Sequence, residues 1–426
     1  MFVTNLIGQT PDQVLADGKN ELNNGQIIRA ESLFKQVLEM DPTFAPAMLE
    51  LARLNLRLGK MQETRKFLKK AIDVDPENQN FRDEFDRINE INTLMNDANR
   101  FMDLTDYAKA FESYRIVLEK FPMFAEAAYS MGLVKNREKI LNEAVQYFKK
   151  ALEINPYHEK ARKALDNVTK KSFNDGNRAY KRGDLDGALE AYYKVLEFDE
   201  KFYQAHYQIG VIKAKMGDRN GAIGHYQQAL DINPNFYKGW YAMGLSKKAN
   251  GDNEGALAAF KAAVDVHPAY DKAFGAMGEI YLSEKKYDKA IEVLNTAVQV
   301  NSKYSKGYST LGVIYSEMEE WANAINNLVL ATTHNKKDAM AWYRLAVAYN
   351  QLNECEQAEE AARSSTDRKP SFGGGWVELG VAIWCGGKGN KVASVNALER
   401  ARKDRTWRKI AEYEMDRIMN PQKYQN

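Results

Sequence analysis

The sequence predicts an all-α solenoid of stacked helical hairpins, and three observations carry that expectation. The stretch "GWYAMG" at 239–244 recurs at intervals of 34 residues, as "AFGAMG" at 273–278, "GYSTLG" at 307–312, "AWYRLA" at 341–346 and "GWVELG" at 375–380. Shifted the other way it meets "AHYQIG" at 205–210. A fixed period of this size is the signature of a solenoid. Seven of the ten prolines fall in one column of the repeat, at Pro42, Pro76, Pro122, Pro156, Pro234, Pro268 and Pro370. Proline just past a helix forbids its continuation, so the column marks where each hairpin ends.

Within a repeat the elements follow in order. The first helix carries a small residue: Gly18, Ala52, Ala98, Gly132, Gly176, Gly210, Gly244, Gly278, Gly312, Ala346 and Gly380. Turn signals follow at Gly25, Gly59, Gly183, Gly217 and Gly251. The second helix has its own small residue (Ala222, Ala256 and Ala290, for example). Four positions later comes a filling side chain, as in Phe34, Tyr114, Phe148, Tyr192, Tyr226, Phe260 and Leu294. Two helices approach closely only where one offers Gly or Ala and the other fills the space. Each hairpin leaves an apolar face that only a neighbour can cover.

These residue types at these spacings resemble the tetratricopeptide repeat (TPR) family, with eleven repeats over nearly the whole chain. The resemblance implies a right-handed superhelical solenoid of antiparallel helix hairpins. Two breaks interrupt the period. Pro76 to Pro122 spans 46 residues and Pro156 to Glu200 spans 44, so each of two first helices is expected to be lengthened, by roughly 18 Å for 12 residues. Four segments follow from this: 1–78 with repeats 1–2, 79–156 with a long helix and repeats 3–4, 157–404 with a long helix and repeats 5–11, and 405–426 as a capping helix and tail. The segment "RTWRKIAEYEMDRIMNP" fits no repeat column and reads as an amphipathic cap over the last hairpin. Its basic start, Arg400 to Lys409, is either a solvated face or a contact for an acidic or nucleic-acid partner.

Composition narrows the function. The formal net charge of +2, from 60 basic and 58 acidic residues, does not favour nucleic acid or an anionic membrane. No run approaches a membrane span and no secretory signal is visible, so a cytoplasmic protein is the default expectation. Cys355 and Cys385 are the only cysteines. They read as buried or idle thiols of a reducing compartment, with no metal-ligand spacing. His158, His206, His225, His267 and His334 lie in unrelated columns and do not pair at ligand spacing. No catalytic motif is present, so an enzyme, a cofactor and a metal are not expected.

What remains is binding. The resemblance implies that first helices line a concave groove, with five columns facing inward. In the fifth column stand Tyr129, Phe173, Tyr207 and Tyr241 in successive repeats, and the ninth adds Asn177, Val211 and Leu245. This strip either docks a helix or extended peptide or packs between repeats with its rings half buried. In the second column Lys238, Lys272 and Lys306 follow at intervals of 34, just inside three helix starts, where the helix dipole favours Asp or Glu. They are either a positive ladder for an acidic partner or solvated lysines. TPR domains that bind chaperones hold a C-terminal carboxylate with Lys-Asn, Asn and Lys-Arg from three repeats. Here Asn177 and Lys238 match, Gln208 is close, and Phe173 and Ala242 depart, which argues against a full clamp. The expectation is a non-enzymatic scaffold docking a protein or peptide partner in its groove. The alternatives are an assembly subunit acting by self-association or convex-face contacts within a multiprotein complex, and, more remotely, an RNA-binding helical repeat.

Overall fold

The structure, a computed structural model, describes residues 9–385 and 390–424. The chain divides into two compact units, residues 1–201 and 202–426. In the first, five hairpins follow one another: α1 (Pro11–Asn23) with α2 (Ile27–Met40), α3 (Ala45–Arg57) with α4 (Met61–Val74), α5 (Gln79–Asp103) with α6 (Tyr107–Lys120), α7 (Ala125–Arg137) with α8 (Leu141–Ile154), and α9 (Glu159–Arg182) with α10 (Leu185–Phe198). The second unit holds α11 (Tyr203–Lys215) with α12 (Arg219–Ile232), α13 (Tyr237–Ala249) with α14 (Asn253–Val266), and α15 (Asp271–Ser283) with α16 (Tyr287–Val300). It continues with α17 (Ser305–Glu317) and α18 (Trp321–His334), α19 (Ala339–Gln351) and α20 (Cys355–Arg368), and α21 (Gly373–Cys385) and α22 (Lys391–Ala401). The last helix is α23 (Arg408–Met419). Among the described residues the architecture is all-α, and the two long first helices stand where the period breaks, with 25 residues in α5 and 24 in α9 against 13 in α13.

The hairpins close on the small column. A Cβ added to Gly244 would lie 2.5 Å from Cε1 of Phe260, and one on Gly210 or Gly176 would lie 2.6 Å from a ring carbon of Tyr226 or Tyr192. No side chain fits there, because the facing ring already occupies its volume. Phe260 and Tyr192 are fully buried as a result.

The turn between the two helices needs a left-handed residue at one fixed column. Gly183 (φ 83°) and Gly217 (φ 89°) supply it, and where glycine is missing Thr105, Lys139, Lys285, Glu319 and Asn353 adopt φ between 56° and 63°. The geometry is therefore set by the hairpin, and glycine only makes it less strained.

In several hairpins the fourth residue of the first helix brackets the preceding loop. Trp240 Nε1 donates to the carbonyl of Pro234 at 2.9 Å, Trp342 to that of Lys336 at 3.1 Å and Trp376 to that of Pro370 at 2.8 Å. In the long helices arginines take the same role, Arg82 on the Pro76 carbonyl and Arg162 on that of Pro156. These bonds satisfy backbone carbonyls of the loop just past the ended helix. The tryptophans are half-buried brackets rather than central wedges.

The last hairpin is covered by α23, whose Ala411 and Ile418 pack on Val377, Leu398 and Ala401, with Trp376 and Trp407 at the margin. One expectation fails where the last hairpin meets the preceding one. Cys355 and Cys385 are not free thiols: they form a disulfide with a Cα–Cα separation of 5.6 Å, inside the usual range for such a bond. Stacking of successive hairpins brings together two cysteines 30 positions apart, and sequence spacing does not reveal that. Further back in the same unit, His206 and His225, from unrelated columns, meet across the α11–α12 hairpin with Nδ1 atoms 3.4 Å apart.

Two outcomes follow. Gly244→Val should lower stability by about 1–3 kcal/mol through overpacking, and Phe260→Ala by about 3–5 kcal/mol through a cavity. Because both act on one volume, urea denaturation of the double variant should show a cost smaller than the sum; strict additivity would contradict the close-packing account. At the cap, loss of water raises the Glu378 carboxyl to about 7, Asn350 partly offsets this, and the Glu414 carboxylate adds to it. A carboxyl whose folded value is raised costs stability as pH climbs from its ordinary value through 7. The melting temperature should therefore fall between pH 5 and pH 8, and Glu378→Gln should flatten that fall. An unchanged profile would show that the group does not contribute.

Candidate functional site

The first-helix face of each unit carries the predicted binding residues, and packing defines what each can offer. In the first unit Tyr129 is half-buried, its ring 5.9 Å from Phe148 and 5.1 Å from His158. His158 accepts the Ala161 backbone N–H on Nδ1, which leaves Nε2 as the donor to Glu126 at 3.0 Å. Phe173 lies 5.4 Å from the Tyr192 ring. Asn177 accepts the Tyr192 hydroxyl at 2.8 Å, as Asn99 accepts that of Tyr114 at 2.6 Å. The carbonyl oxygen of Asn177 is thus committed to its own hairpin.

In the second unit the fifth-column rings follow one rule. Tyr207 sits 5.8 Å from Tyr226 of its own hairpin and 4.9 Å from Phe236 of the next loop, edge-on at 85°. Tyr241 repeats this with Phe260 at 5.6 Å and Tyr270 at 5.2 Å, again at 85°. Tyr343 meets Phe372 at 5.1 Å and 88°. Edge-to-face contact is the favoured arrangement of two rings and stabilises the junction. Desolvation lifts the Tyr241 and Tyr270 phenols above their usual range, consistent with half-burial.

The same rule accounts for the gap in the column. A Cβ on Gly275 would fall 2.2 Å from the hydroxyl oxygen of Tyr304, so the next loop's tyrosine fills the slot a fifth-column ring takes elsewhere. At Ser309 the neighbour is Arg344, whose Nη1 donates to Oγ at 3.1 Å. The partners Phe236, Tyr270, Tyr304 and Phe372 form a column the sequence reasoning missed. Its signal is present, since Phe44, Phe124, Phe202, Phe236, Tyr270, Tyr304 and Phe372 all share one register of the repeat.

The lysines differ among themselves. Lys238 and Lys272 are exposed, and neither has a carboxylate partner among the described residues; Lys238 lies 5.8 Å from the Tyr237 ring centroid. Lys306 is paired with Glu279 at 2.5 Å, and Glu279 also takes Lys248 at 2.8 Å. Leu245 is 42% exposed, while Gln208 and Val211 on α11 are half-buried. Of the clamp-like positions, Phe173 and Asn177 belong to the first unit, and Gln208, Lys238 and Ala242 to the second. Among the described residues no three His, Cys, Asp or Glu side chains are grouped to hold a metal, and no helix is long and apolar enough to cross a membrane.

Comparison with known proteins places the repeats. Family models described as tetratricopeptide repeats match residues 21–83, 96–159, 176–217 and 203–236. A model described as the tetratricopeptide repeat protein 21 C-terminal ARM domain matches residues 254–372. Two similar curated proteins are DnaJ homolog subfamily C member 7 of Homo sapiens, 29% identical over 195 residues, and that of Mus musculus, 26% identical over 201 residues. The matches cover 43% and 39% of this chain and only 38% and 41% of those proteins. Among solved structures, the Cut9-Hcn1 hetero-tetramer of the APC/C is 14% identical with a TM-score of 0.46, covering 96% of both chains. YrrB, described as a TPR protein with an unusual peptide-binding site, is 16% identical with a TM-score of 0.40, covering 44% of this chain and 96% of its own. With the 34-residue period, the eleven hairpins among the described residues and these family models in agreement, the chain belongs to the tetratricopeptide repeat family.

Proposed function

We propose that the chain is a non-enzymatic scaffold that docks a peptide or helix of a partner protein on its first-helix face, with a preference for acidic segments. The observation that carries this reading is the second unit's juxtaposition of apolar and cationic groups. Tyr241 offers the part of its ring not packed on Phe260 and Tyr270, Leu245 is exposed one helical turn further along α13, and Lys238 stands at the start of the same helix. Lys272 repeats the cation on α15. Rings already held by neighbours lose little side-chain freedom on binding, which favours them as anchors. Unpaired lysines near helix N-termini add a positive field suited to carboxylates. Lys306 contributes less, since Glu279 neutralises it.

A random 12-residue peptide display selected on the full chain tests this. Enrichment of Asp and Glu beside Leu or aromatic residues is expected among the binders. Lys238→Glu with Lys272→Glu should abolish that enrichment while helicity is unchanged. Tyr241→Ala should weaken a selected peptide by about fivefold or more, and added salt should weaken it further. Binders with no acidic bias would refute the charge preference, and binding indifferent to Tyr241→Ala and Leu245→Ser would refute the docking face.

A further inference from the structure

A cavity in the first unit involves none of the fifth-column rings or second-column lysines considered above. Its volume is about 320 Å³, and it is walled by Leu22 at the end of α1, Leu54 and Leu56 on α3, and Phe121, Met123 and Phe124 in the loop before α7. Five charged side chains also line it, and four of them are paired. Glu50 takes Lys19 at 3.3 Å and Arg53 at 3.3 Å, Glu84 takes Arg53 at 2.6 Å, and Lys120 is paired with Glu90. The fifth is Arg57, which has no ion pair among the described residues. Its Nε donates to the Ile154 carbonyl at 2.6 Å, which anchors the side chain across the unit without supplying a counter-charge. Desolvation, with no carboxylate to offset it, pulls the Arg57 guanidinium below its ordinary value.

A partly buried guanidinium without an anion carries a desolvation cost that an incoming carboxylate would remove, and its fork suits a carboxylate in two-point contact. The apolar walls call for a hydrocarbon or aryl body beside that carboxylate, and the volume lies at the lower end of small-ligand sites. Basic surface lysines would attract many anions, whereas a guanidinium among apolar walls suits an anion attached to an apolar body.

We propose that this pocket binds an organic carboxylate carried on a compact apolar body, the carboxylate on Arg57 and the body against Leu54, Leu56, Phe121, Met123 and Phe124. Two sources share that chemistry: a free organic acid and a protein segment with an aromatic residue next to Asp. The cavity shares no residue with Lys238, Tyr241, Leu245 and Lys272, which carry the proposed peptide docking, so its failure leaves that reading untouched, and the reverse also holds.

Ligand-observed NMR and calorimetry on the full chain decide it, with 4-phenylbutyrate as the free acid and N-acetyl-Gly-Phe-Asp-Gly-amide as the peptide. Binding of either probe is expected, with 4-phenylbutyramide at least about tenfold weaker than the acid. Arg57→Gln should remove binding. Because that change also breaks the bond to Ile154, Met123→Glu provides a second variant: it leaves Arg57 in place, puts a like charge in the wall, and should weaken the acid by a similar factor. Tyr241→Ala should leave binding unchanged. Preference for the acid assigns the site to a small molecule, and preference for the peptide assigns it to a protein segment. No saturable binding of either probe at several millimolar, or equal binding of acid and amide, would overturn the proposal.

Discussion

Everything in this molecule depends on the close approach of two helices at one column. Where Gly244 faces Phe260, or Gly176 faces Tyr192, the space of a single methyl group is already taken by a ring. Those hairpins can therefore form only with glycine at that position, and where alanine stands instead, at Ala52, Ala98 and Ala346, nothing larger than a methyl group is present. Repeated along the chain, this produces a set of equivalent hairpins, each with the same residual apolar face. Neighbouring hairpins stack because that face has nowhere else to go. The cap repeats the logic at the C-terminal end of the stack, where Ala411 and Ile418 cover what α21 and α22 leave open.

A second device joins the hairpins. Six residues separate each bracketing Trp or Arg from the carbonyl it satisfies, and that carbonyl often belongs to the proline that ended the previous helix. Proline stops the helix, and the bracket then holds the chain as it enters the next one. Trp and Arg are interchangeable here because each reaches the carbonyl with an N–H from a long, flat side chain. That equivalence lets Arg82 and Arg162 do at the start of the two long helices what Trp240, Trp342 and Trp376 do in the second unit.

Function is left to positions these two devices do not use, and the structure narrows them. Under the proposed docking, rings such as Tyr241 would serve both purposes: one side packs on the next loop's aromatic residue, and the half-exposed remainder would meet the partner. A ring fixed in this way makes a rigid anchor. The lysine column, uniform in sequence, is not uniform in its electrostatics, because Glu279 takes up Lys306 but not Lys238 or Lys272. In the first unit, Arg57 stands out for a different reason: it alone among the charged residues lining its cavity lacks an opposite charge.

The sequence by itself determined the hairpins, their number, the two lengthened helices and the cap. These follow from short-range rules repeated at a fixed period: a small residue, a filler, a left-handed turn and a stop. Repetition makes such local signals legible, because a column of eleven is hard to mistake. Tertiary structure alone decided the rest. The Cys355–Cys385 bond, the choice of Glu279 between lysines and the cavity at Arg57 all join residues from different repeats. Their separations carry no periodic signal, since each depends on how far one hairpin turns against its neighbours and on which side chains happen to meet there. The missing ring at Gly275 lies between the two. In sequence it is a break in a column, and only the hydroxyl of Tyr304 in that space shows that the break preserves the packing.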